Sequence, residues 1–401
     1  MKSDKTIKVL YYAMVELAAP EGPAVHTMNL IKGFNDLGVK TLLLCPRPPK
    51  KNMIPDLKES IFLPFFGFGS LQEMAFDFFS FFYLCYAFLV FRPDVFLIRE
   101  AEGNLSTLLC ACLFRVPLLV DMNGPLDIDY ISRDGFHSHF PSFAKVNPAI
   151  RWVVSIWRKI WRTFLFKTAR GLTSNTASWR DELCEEFRIP KEHFKVVSMY
   201  VDSTIFHPLN QRECRKKLNI PESRIVFGYL GSFQPTHEID VLFDALKVLI
   251  EENCNIELHI VGGGRRLETL QVKFKDFPYL DRVRFFGWVP HHEIPSYLSA
   301  MNVGVALLKP IKAFQAEAAL KFKEYIACGV PVIMNGDPDL FRDYPPGCML
   351  KLDVVNGKGL AAAILKAIPI KTSDDMSRAV EYIKTEFPLK KAAQLTLELL
   401  N

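Results

Sequence analysis

The residues best suited to chemistry lie between 317 and 333. The run Glu317-Ala-Ala-Leu-Lys321-Phe-Lys323-Glu324-Tyr325-Ile-Ala-Cys-Gly329-Val-Pro331-Val-Ile333 reads as a loop with an acid and a lysine, then a short helix with a second acid. Gly329 stops that helix and Pro331 opens a buried strand. A carboxylate at a helix start can accept paired hydroxyl hydrogen bonds, and a nearby ammonium can neutralise a diphosphate. An ordinary helix N-terminus with acids favouring its dipole fits the same residues, and this segment alone does not choose. Gly262-Gly263-Gly264 follows the apolar run Ile256–Val261. Glycines at a strand's C-terminal end let backbone N–H groups approach a phosphate, although glycine is also the default for a tight turn. His291-His292-Glu293 has no second ligand set at a matching spacing, so it reads as a helix-capping region rather than a metal site. No zinc pattern, P-loop, G-x-S-x-G elbow or kinase signature occurs.

Such residues need a scaffold, and the hydrophobic pattern supplies one. Short apolar runs at 8–12, 41–45, 95–98, 117–120, 171–174, 194–197, 225–230, 256–261, 283–286, 303–307 and 330–334 read as strands. Helix-period stretches at 26–37, 107–114, 178–187, 240–251, 267–277, 294–300 and 321–328 lie between many of them. Apolar strands alternating with amphipathic helices predict an α/β fold with parallel sheets covered on both faces. The series restarts at Ile225 after the polar, Pro-bearing segment 202–222, which places a domain boundary near 205. An amphipathic stretch at 377–400, broken by Pro388, closes the chain. The expected organisation is therefore 1–205, 206–380, and a C-terminal helix at 381–401 able to cross back to the first domain.

Composition agrees. Of 401 residues 49% are hydrophobic and 23% charged, which excludes a disordered chain and suits two or three domains. The formal net charge of +5 does not argue for nucleic acid, but it fits an anionic small ligand or, if clustered, an anionic membrane surface. Nine scattered cysteines without any C-x-x-C pair, most of them in apolar runs, read as reduced core residues of a cytoplasmic protein. Residues 7–12 read as a first strand rather than a secretory signal, because Glu16 interrupts the apolar stretch.

Two segments depart from the pattern. Residues 74–91 carry seven Phe, two Tyr and a single charge, Asp77, and reach the lower length of a membrane span. Pro93-Asp94 and a new strand follow at once, so a core helix, a membrane-dipping helix and a true span all remain open, in that order. Residues 151–170 carry Arg151, Arg158, Lys159, Arg162, Lys167 and Arg170 among Trp152, Trp157, Trp161, Phe164 and Phe166, with no acid. Basic residues beside Trp and Phe on a helix suit an anionic bilayer surface. A solvated helix with Lys and Arg stems lying over its aromatics is the competing account.

The run 321–333 resembles the signature of the retaining GT-B glycosyltransferases of family 4, where a lysine, a glutamate, a helix and a G-x-P-V-I strand recur in that order. Gly228-Tyr229-Leu230-Gly231-Ser232-Phe233, followed by Ile239, Asp240, Leu242 and Ala245, resembles the first strand and helix of that family's donor domain. Ile256–Val261 with its three glycines resembles the next strand and turn. Val283, Phe285, Gly287, Val289 and Pro290 with Glu293, Ile294 and Tyr297 resemble the segment beside the base. Gly22-Pro23-Ala24 with His26 resembles the loop near the acceptor, and Val201-Asp202 with Phe206 and Pro208 the interdomain linker.

The resemblance implies two Rossmann-like parallel-sheet domains facing a cleft, an N-terminal one for the acceptor and a C-terminal one for a nucleotide-sugar. It implies transfer of a sugar to an acceptor hydroxyl with retention, without metal or other cofactor, in glycan, polysaccharide or glycolipid synthesis. Lys321 and His237 would meet the phosphates with the amides of Gly231 and Gly263, and Ser232 and Val289 would line the donor. Glu324 would hold the ribose hydroxyls and Glu317 the donor sugar. Gly22 and His26 would lie on the acceptor side, and Asn123 near the transferred sugar, although Asn123-Gly124 by itself is simply a turn. The expected partners are a nucleotide-sugar, a glycan or lipid-linked acceptor and an anionic membrane surface, at the inner face of the cytoplasmic membrane, with no nucleic acid. Several positions depart from the family. Ala316 stands where the first of two glutamates is usual, with Glu317 beside it; Ser232 and His237 replace an Arg and a Lys; Glu238 replaces a glycine; Met199-Tyr200 replaces Asn-Gly. These departures sustain a second hypothesis, an inactive GT-B scaffold acting as a nucleotide-sugar sensor or assembly partner. An epimerase or phosphorylase on the same fold is less well supported, since no pyridoxal-lysine motif is found.

Overall fold

The computed structural model describes residues 6–15, 17, 22–47, 59–64, 70–99, 105–122, 148–233, 237–263, 267–309, 320–336, 341 and 344–400. They fall into two units, each built on its own parallel sheet.

The first unit takes Met1–Ala19, Pro23–Ser198 and Leu389–Asn401. In chain order it contains β1 (Lys8–Ala13), α1 (Gly22–Asp36), β2 (Lys40–Pro46), β3 (Ser60–Leu63), α2 (Ser70–Phe91), β4 (Val95–Arg99), α3 (Leu105–Phe114), β5 (Leu118–Met122), α4 (Pro148–Thr168), β6 (Gly171–Ser174), α5 (Ala177–Phe187) and β7 (Phe194–Val196). The sheet runs β3-β2-β1-β4-β5-β6-β7. Its central strands are apolar along both faces because helices cover both. Right-handed crossovers place α1 on one face, while the return from β3 to β4 and onward places α2, α3, α4 and α5 on the other.

The second unit takes Pro20–Gly22 and Met199–Pro388. It contains α6 (Gln211–Lys217), β8 (Ile225–Leu230), α7 (Asp240–Glu251), β9 (Ile256–Val261), α8 (Leu267–Lys273), β10 (Val283–Gly287), α9 (Ile294–Ala300), β11 (Val303–Ala306), α10 (Leu320–Ala327), β12 (Val332–Met334), β13 (Met349–Lys351), α11 (Gly357–Ala367) and α12 (Asp374–Glu386). Its sheet runs β10-β9-β8-β11-β12-β13. The chain then starts α13 (Leu389–Leu397), which belongs to the first unit. There α13 lies so close to α1 that a Cβ on Gly33 would stand 2.3 Å from the Leu389 carbonyl oxygen.

The structure departs from the expected elements where apolar periodicity is weak. The edge strand β3 and the three-residue β13 are too short to register as a pattern. Helix α6, QRECRKK, has no apolar stripe and lies in what reads as linker. It is fixed instead by Asn210, whose side chain accepts from the Arg212 and Glu213 amides, and by buried Arg215. The Arg215 guanidinium donates to the Ala300 carbonyl at 3.0 Å and the Asn302 side chain at 2.7 Å. The boundary falls at 198/199 rather than near 205, because the strip after Ser198 is bound within the second unit. There the Val201 amide donates to the Phe387 carbonyl, and the Tyr200 ring lies 5.6 Å from that of Phe387. Residues 74–91 fall in α2, and no helix among the described residues is long and apolar enough to cross a membrane.

Candidate functional site

In the second sheet the strand order reverses between β8 and β11, and the C-terminal ends flanking such a switch are where open α/β sheets take ligands. The chain turns there on glycines. Gly231 (φ +136°) follows β8 and Gly262 (φ +123°) follows β9, both in backbone conformations that side chains resist. The two turns press together, since a Cβ on Gly262 would stand 2.1 Å from the Gly231 carbonyl oxygen. Gly263 is buried under the Trp288 ring, whose Nε1 would lie 2.8 Å from a Cβ there.

Lys321, in the first turn of α10, is buried with its ammonium at this place. Its Nζ lies 2.8 Å from His237 Nε2, donates to Tyr229 Oη at 3.3 Å and stands 4.6 Å from the Tyr229 ring centroid. Gly231 is adjacent as well, because a Cβ there would be 3.4 Å from the same Nζ. An ammonium can only donate, so His237 Nε2 accepts and the imidazole is neutral in this arrangement. His237 is kept in place by an antiparallel bridge to Leu308, and the next amide, that of Glu238, donates to the Leu307 carbonyl. Glu238, next in sequence to His237, is half-buried, and nothing in the structure explains its charge there.

One turn further along α10, Glu324 is buried, with Oε1 3.7 Å from His291 Nε2. That nitrogen is itself buried and has no hydrogen-bond partner among the described residues. Lys323, between these two site residues, points elsewhere. It is fully buried, donates to the Met199 carbonyl and stands 4.0 Å from the Phe387 ring centroid, and burial pulls its ammonium well below the usual lysine range.

One expected role needs correction. The Gly231 amide is already used, donating to the Val261 carbonyl at 3.0 Å, so it is not a phosphate donor; Gly231 serves the turn through its positive φ. The Val289 side chain is buried in the core with Leu230, Val261 and Ile294. Ser232 is half-buried, and its carbonyl accepts the Tyr229 hydroxyl at 2.7 Å. Glu317, with Ala316, lies outside the described residues, and so does Asn123.

The first unit has a cluster of its own at its switch point, between β1 and β4. Asp121, near the end of β5, accepts from Thr173 Oγ1 at 2.7 Å and from Tyr11 Oη at 3.3 Å; His26 Nε2 lies 3.0 Å away and Arg99 Nη1 4.0 Å. Burial alone would raise the Asp121 carboxyl, but the charge and hydrogen bond of His26, the Arg99 charge and the Thr173 hydroxyl outweigh it and hold it well below the usual carboxylate range. Burial and the Asp121 charge push the Tyr11 phenol far up. Gly22 starts α1, one turn before His26, with nothing within 4 Å of where a Cβ would be. Of these partners the sequence signals only one kind of clue: Arg99 and Asp121 are charges on the C-terminal ends of otherwise apolar strands.

Two parallel-sheet units, with a cationic, glycine-lined strand end in the second, define the class as a GT-B glycosyltransferase fold. The chain belongs to the GT-B glycosyltransferases of family 4: residues 20–204 match the family model Glycosyltransferase Family 4, and residues 210–382 match Glycosyl transferases group 1. Curated relatives include the D-inositol 3-phosphate glycosyltransferase of Thermomonospora curvata, 27% identical over 200 residues that make up 45% of each chain. Mannosylfructose-phosphate synthase of Agrobacterium fabrum is 23% identical over 44% of this chain and 40% of its own. The matched stretch spans somewhat under half the length of these relatives. Among solved structures, Anabaena HepE in complex with UDP and glucose superposes with a TM-score of 0.73 at 16% identity, covering 98% of this chain and 99% of its own. WaaG, a glycosyltransferase involved in lipopolysaccharide biosynthesis, superposes with a TM-score of 0.68 at 14% identity, covering 97% and 100%. At such identities the superpositions show the fold.

Proposed function

We propose that the protein transfers a sugar from a nucleotide-sugar to an acceptor hydroxyl, with retention at the anomeric carbon, in assembling a glycan, polysaccharide or glycolipid at the cytoplasmic face of a membrane. The observation that carries the proposal is the buried Lys321 ammonium, placed with His237 and Tyr229 at the end of β8, one helical turn from the buried Glu324 carboxylate. When a nucleoside diphosphate departs, negative charge grows on its phosphates and the sugar becomes oxocarbenium-like. A fixed ammonium in a low-dielectric site stabilises that charge without reorganising. Lys321 therefore serves the diphosphate, with His237 setting its direction. No metal is needed for this, because the resident cation does its electrostatic work. Glu324 accepts the two ribose hydroxyls, and the backbone of Val289 lies toward the base. Glu317 is assigned to the donor sugar, and Asn123, Gly22 and His26 to the acceptor side. Retention rests on the family. Because the Anabaena protein was captured with UDP and glucose, a uridine donor is the first to try.

The test is hydrolysis and transfer with UDP-, GDP- and ADP-sugars, with membrane extract as acceptor. Slow hydrolysis of one donor, accelerated by the extract and lost in Lys321→Ala and Glu324→Ala, is the expected result. Donor binding with no turnover under any condition would support the sensor scaffold instead.

A further inference from the structure

Three helices on one face of the first unit leave apolar stripes uncovered. On α2, Phe78, Phe82, Tyr86 and Leu89 recur at helical spacing and are 54–66% exposed. On α3, Leu105, Leu109 and Leu113 form a second stripe, and on α4 Ile160 and Phe164 a third, all about half exposed or more. Singly exposed apolar residues are ordinary, but parallel stripes on adjoining helices are not. The helices do adjoin. Asp77 of α2 accepts the Ser106 hydroxyl of α3 at 2.6 Å, and Phe88 stacks on Phe114 at 4.5 Å between centroids. The C-terminal ends of α3 and α4 line one surface cavity of about 490 Å³ with Cys112, Arg115, Thr168 and Arg170.

At the C-terminal ends of these helices the exposed charges are basic. Arg92 follows α2 directly, Arg115 follows α3, and Arg170 comes two residues after α4; all three are exposed. They precede β4, β5 and β6, which are neighbours in the sheet, so the three guanidinium-bearing residues stand side by side along one edge of the layer. Lys167 adds an exposed cation on α4, and Lys159, also exposed, lies 3.5 Å from Glu186. Neither α3 nor α4 contains an acid, and the two acids of α2, Glu73 and Asp77, lie in its N-terminal eight residues, at the far end from the arginines. A cation after a helix C-terminus suits the dipole of each helix separately. That does not account for aromatic and leucine stripes running up to the arginines on every helix of the row.

We propose that this face of α2, α3 and α4 docks on an anionic lipid bilayer, with the apolar stripes entering the acyl boundary and the row Arg92, Arg115, Arg170 meeting lipid phosphates. The chemistry of both parts is what an interface-plane anchor needs: aromatic and aliphatic side chains for the acyl boundary, and long cationic ones that reach back to the headgroups. The three exposed arginines along one edge of the layer choose an anionic surface over a neutral one. The proposal deepens the preceding assignment and rests on it only in making this bilayer the place where the acceptor is met.

Binding is measured by co-sedimentation with phosphatidylcholine vesicles, with and without phosphatidylglycerol, at physiological salt. Wild-type protein is expected to bind the anionic vesicles and to bind neutral ones at least roughly tenfold more weakly. Arg115→Glu with Arg170→Glu should abolish that difference, and Phe82→Ser with Leu109→Ser should weaken binding to both vesicles; every one of these side chains is exposed. Hydrolysis of a soluble donor should be unchanged in both double variants. Failure of wild type to bind anionic vesicles overturns the proposal, as does binding that neither double variant reduces. So does sedimentation equilibrium that shows a dimer broken by Phe82→Ser with Leu109→Ser in protein that ignores vesicles. Vesicle binding without donor turnover would sink the transferase assignment and leave the docking face standing.

Discussion

Lys321 and Lys323 are two positions apart and have different tasks. The first carries its ammonium to the glycine-lined strand ends; the second buries its own against Phe387 and the Met199 carbonyl. Lys321→Ala should lower kcat/KM for the donor about 100-fold or more, the scale of losing one preorganised charge partner in a dry site, as steady-state kinetics would show. His291 offers a subtler case. Its buried Nε2, 3.7 Å from Glu324 Oε1, is placed to share a ribose hydroxyl with that carboxylate. His291→Ala should weaken nucleotide binding by about fivefold to tenfold, the worth of one hydrogen bond, while a 2′,3′-dideoxy nucleotide should bind both proteins alike. In the first unit, Asp121→Asn removes the carboxylate that faces buried His26 and half-buried Arg99 and should cost about 3 kcal/mol in urea unfolding. The sign of its pH dependence follows from the depressed carboxyl. Its stabilisation is complete above the ordinary unfolded aspartate value and drains away as acid approaches the lower folded value. Wild type should therefore lose stability more steeply than Asp121→Asn below about pH 4. Lys321 and Glu324 were legible because a helix and a G-x-P-V-I strand bracket them in sequence. The pairing of Tyr229 with Lys321, of His291 with Glu324, and of Tyr11, Arg99 and Thr173 with Asp121 was not, because the fold and not the spacing in sequence brings each to its neighbour.

At the scale of elements, the strand-end glycines are structural conditions of the site. Gly262→Ala would force a side chain into φ +123° and against the Gly231 carbonyl. It should cost about 2 kcal/mol or more and displace the Gly231 turn beside Lys321, weakening donor binding with it. A second element-level case is Lys371, which ties the end of α9 by donating to the Ser299 and Met301 carbonyls. Burial first, and the Arg215 charge second, pull its ammonium down to about 7, and a neutral amine still has two hydrogens for two carbonyls. Between that value and the ordinary value near 10.4, the unfolded chain binds the proton and the folded one does not. Stability of the second unit should thus gain from this group as pH rises through that window, a gain absent in Lys371→Met. Apolar runs of five or six residues, such as IVFGYL and IELHIV, announce their strands directly. MLK and QRECRKK do not, since their order comes from a neighbouring strand and from buried Arg215.

For the whole molecule, the restart of strand–helix alternation made two α/β units legible, and the break at Pro388 made the last helix visible. Which unit that helix completes is decided by close approach at Gly33 and by Leu399 against Gly171, where a Cβ would meet its side chain at 2.7 Å. Ending the chain at Pro388 should therefore lower the stability of the first unit, read by limited proteolysis, and leave nucleotide binding by the second unit intact. The claim that organises everything else is that the second unit takes a nucleotide-sugar through Lys321 and Glu324. Isothermal titration of wild type, Lys321→Ala and Glu324→Ala with UDP, GDP and ADP and their sugars tests it most directly. Saturable binding of one nucleotide family, weakened at least tenfold in both variants, is the predicted result. No binding of any of them to folded wild-type protein, or binding that neither variant disturbs, would contradict it.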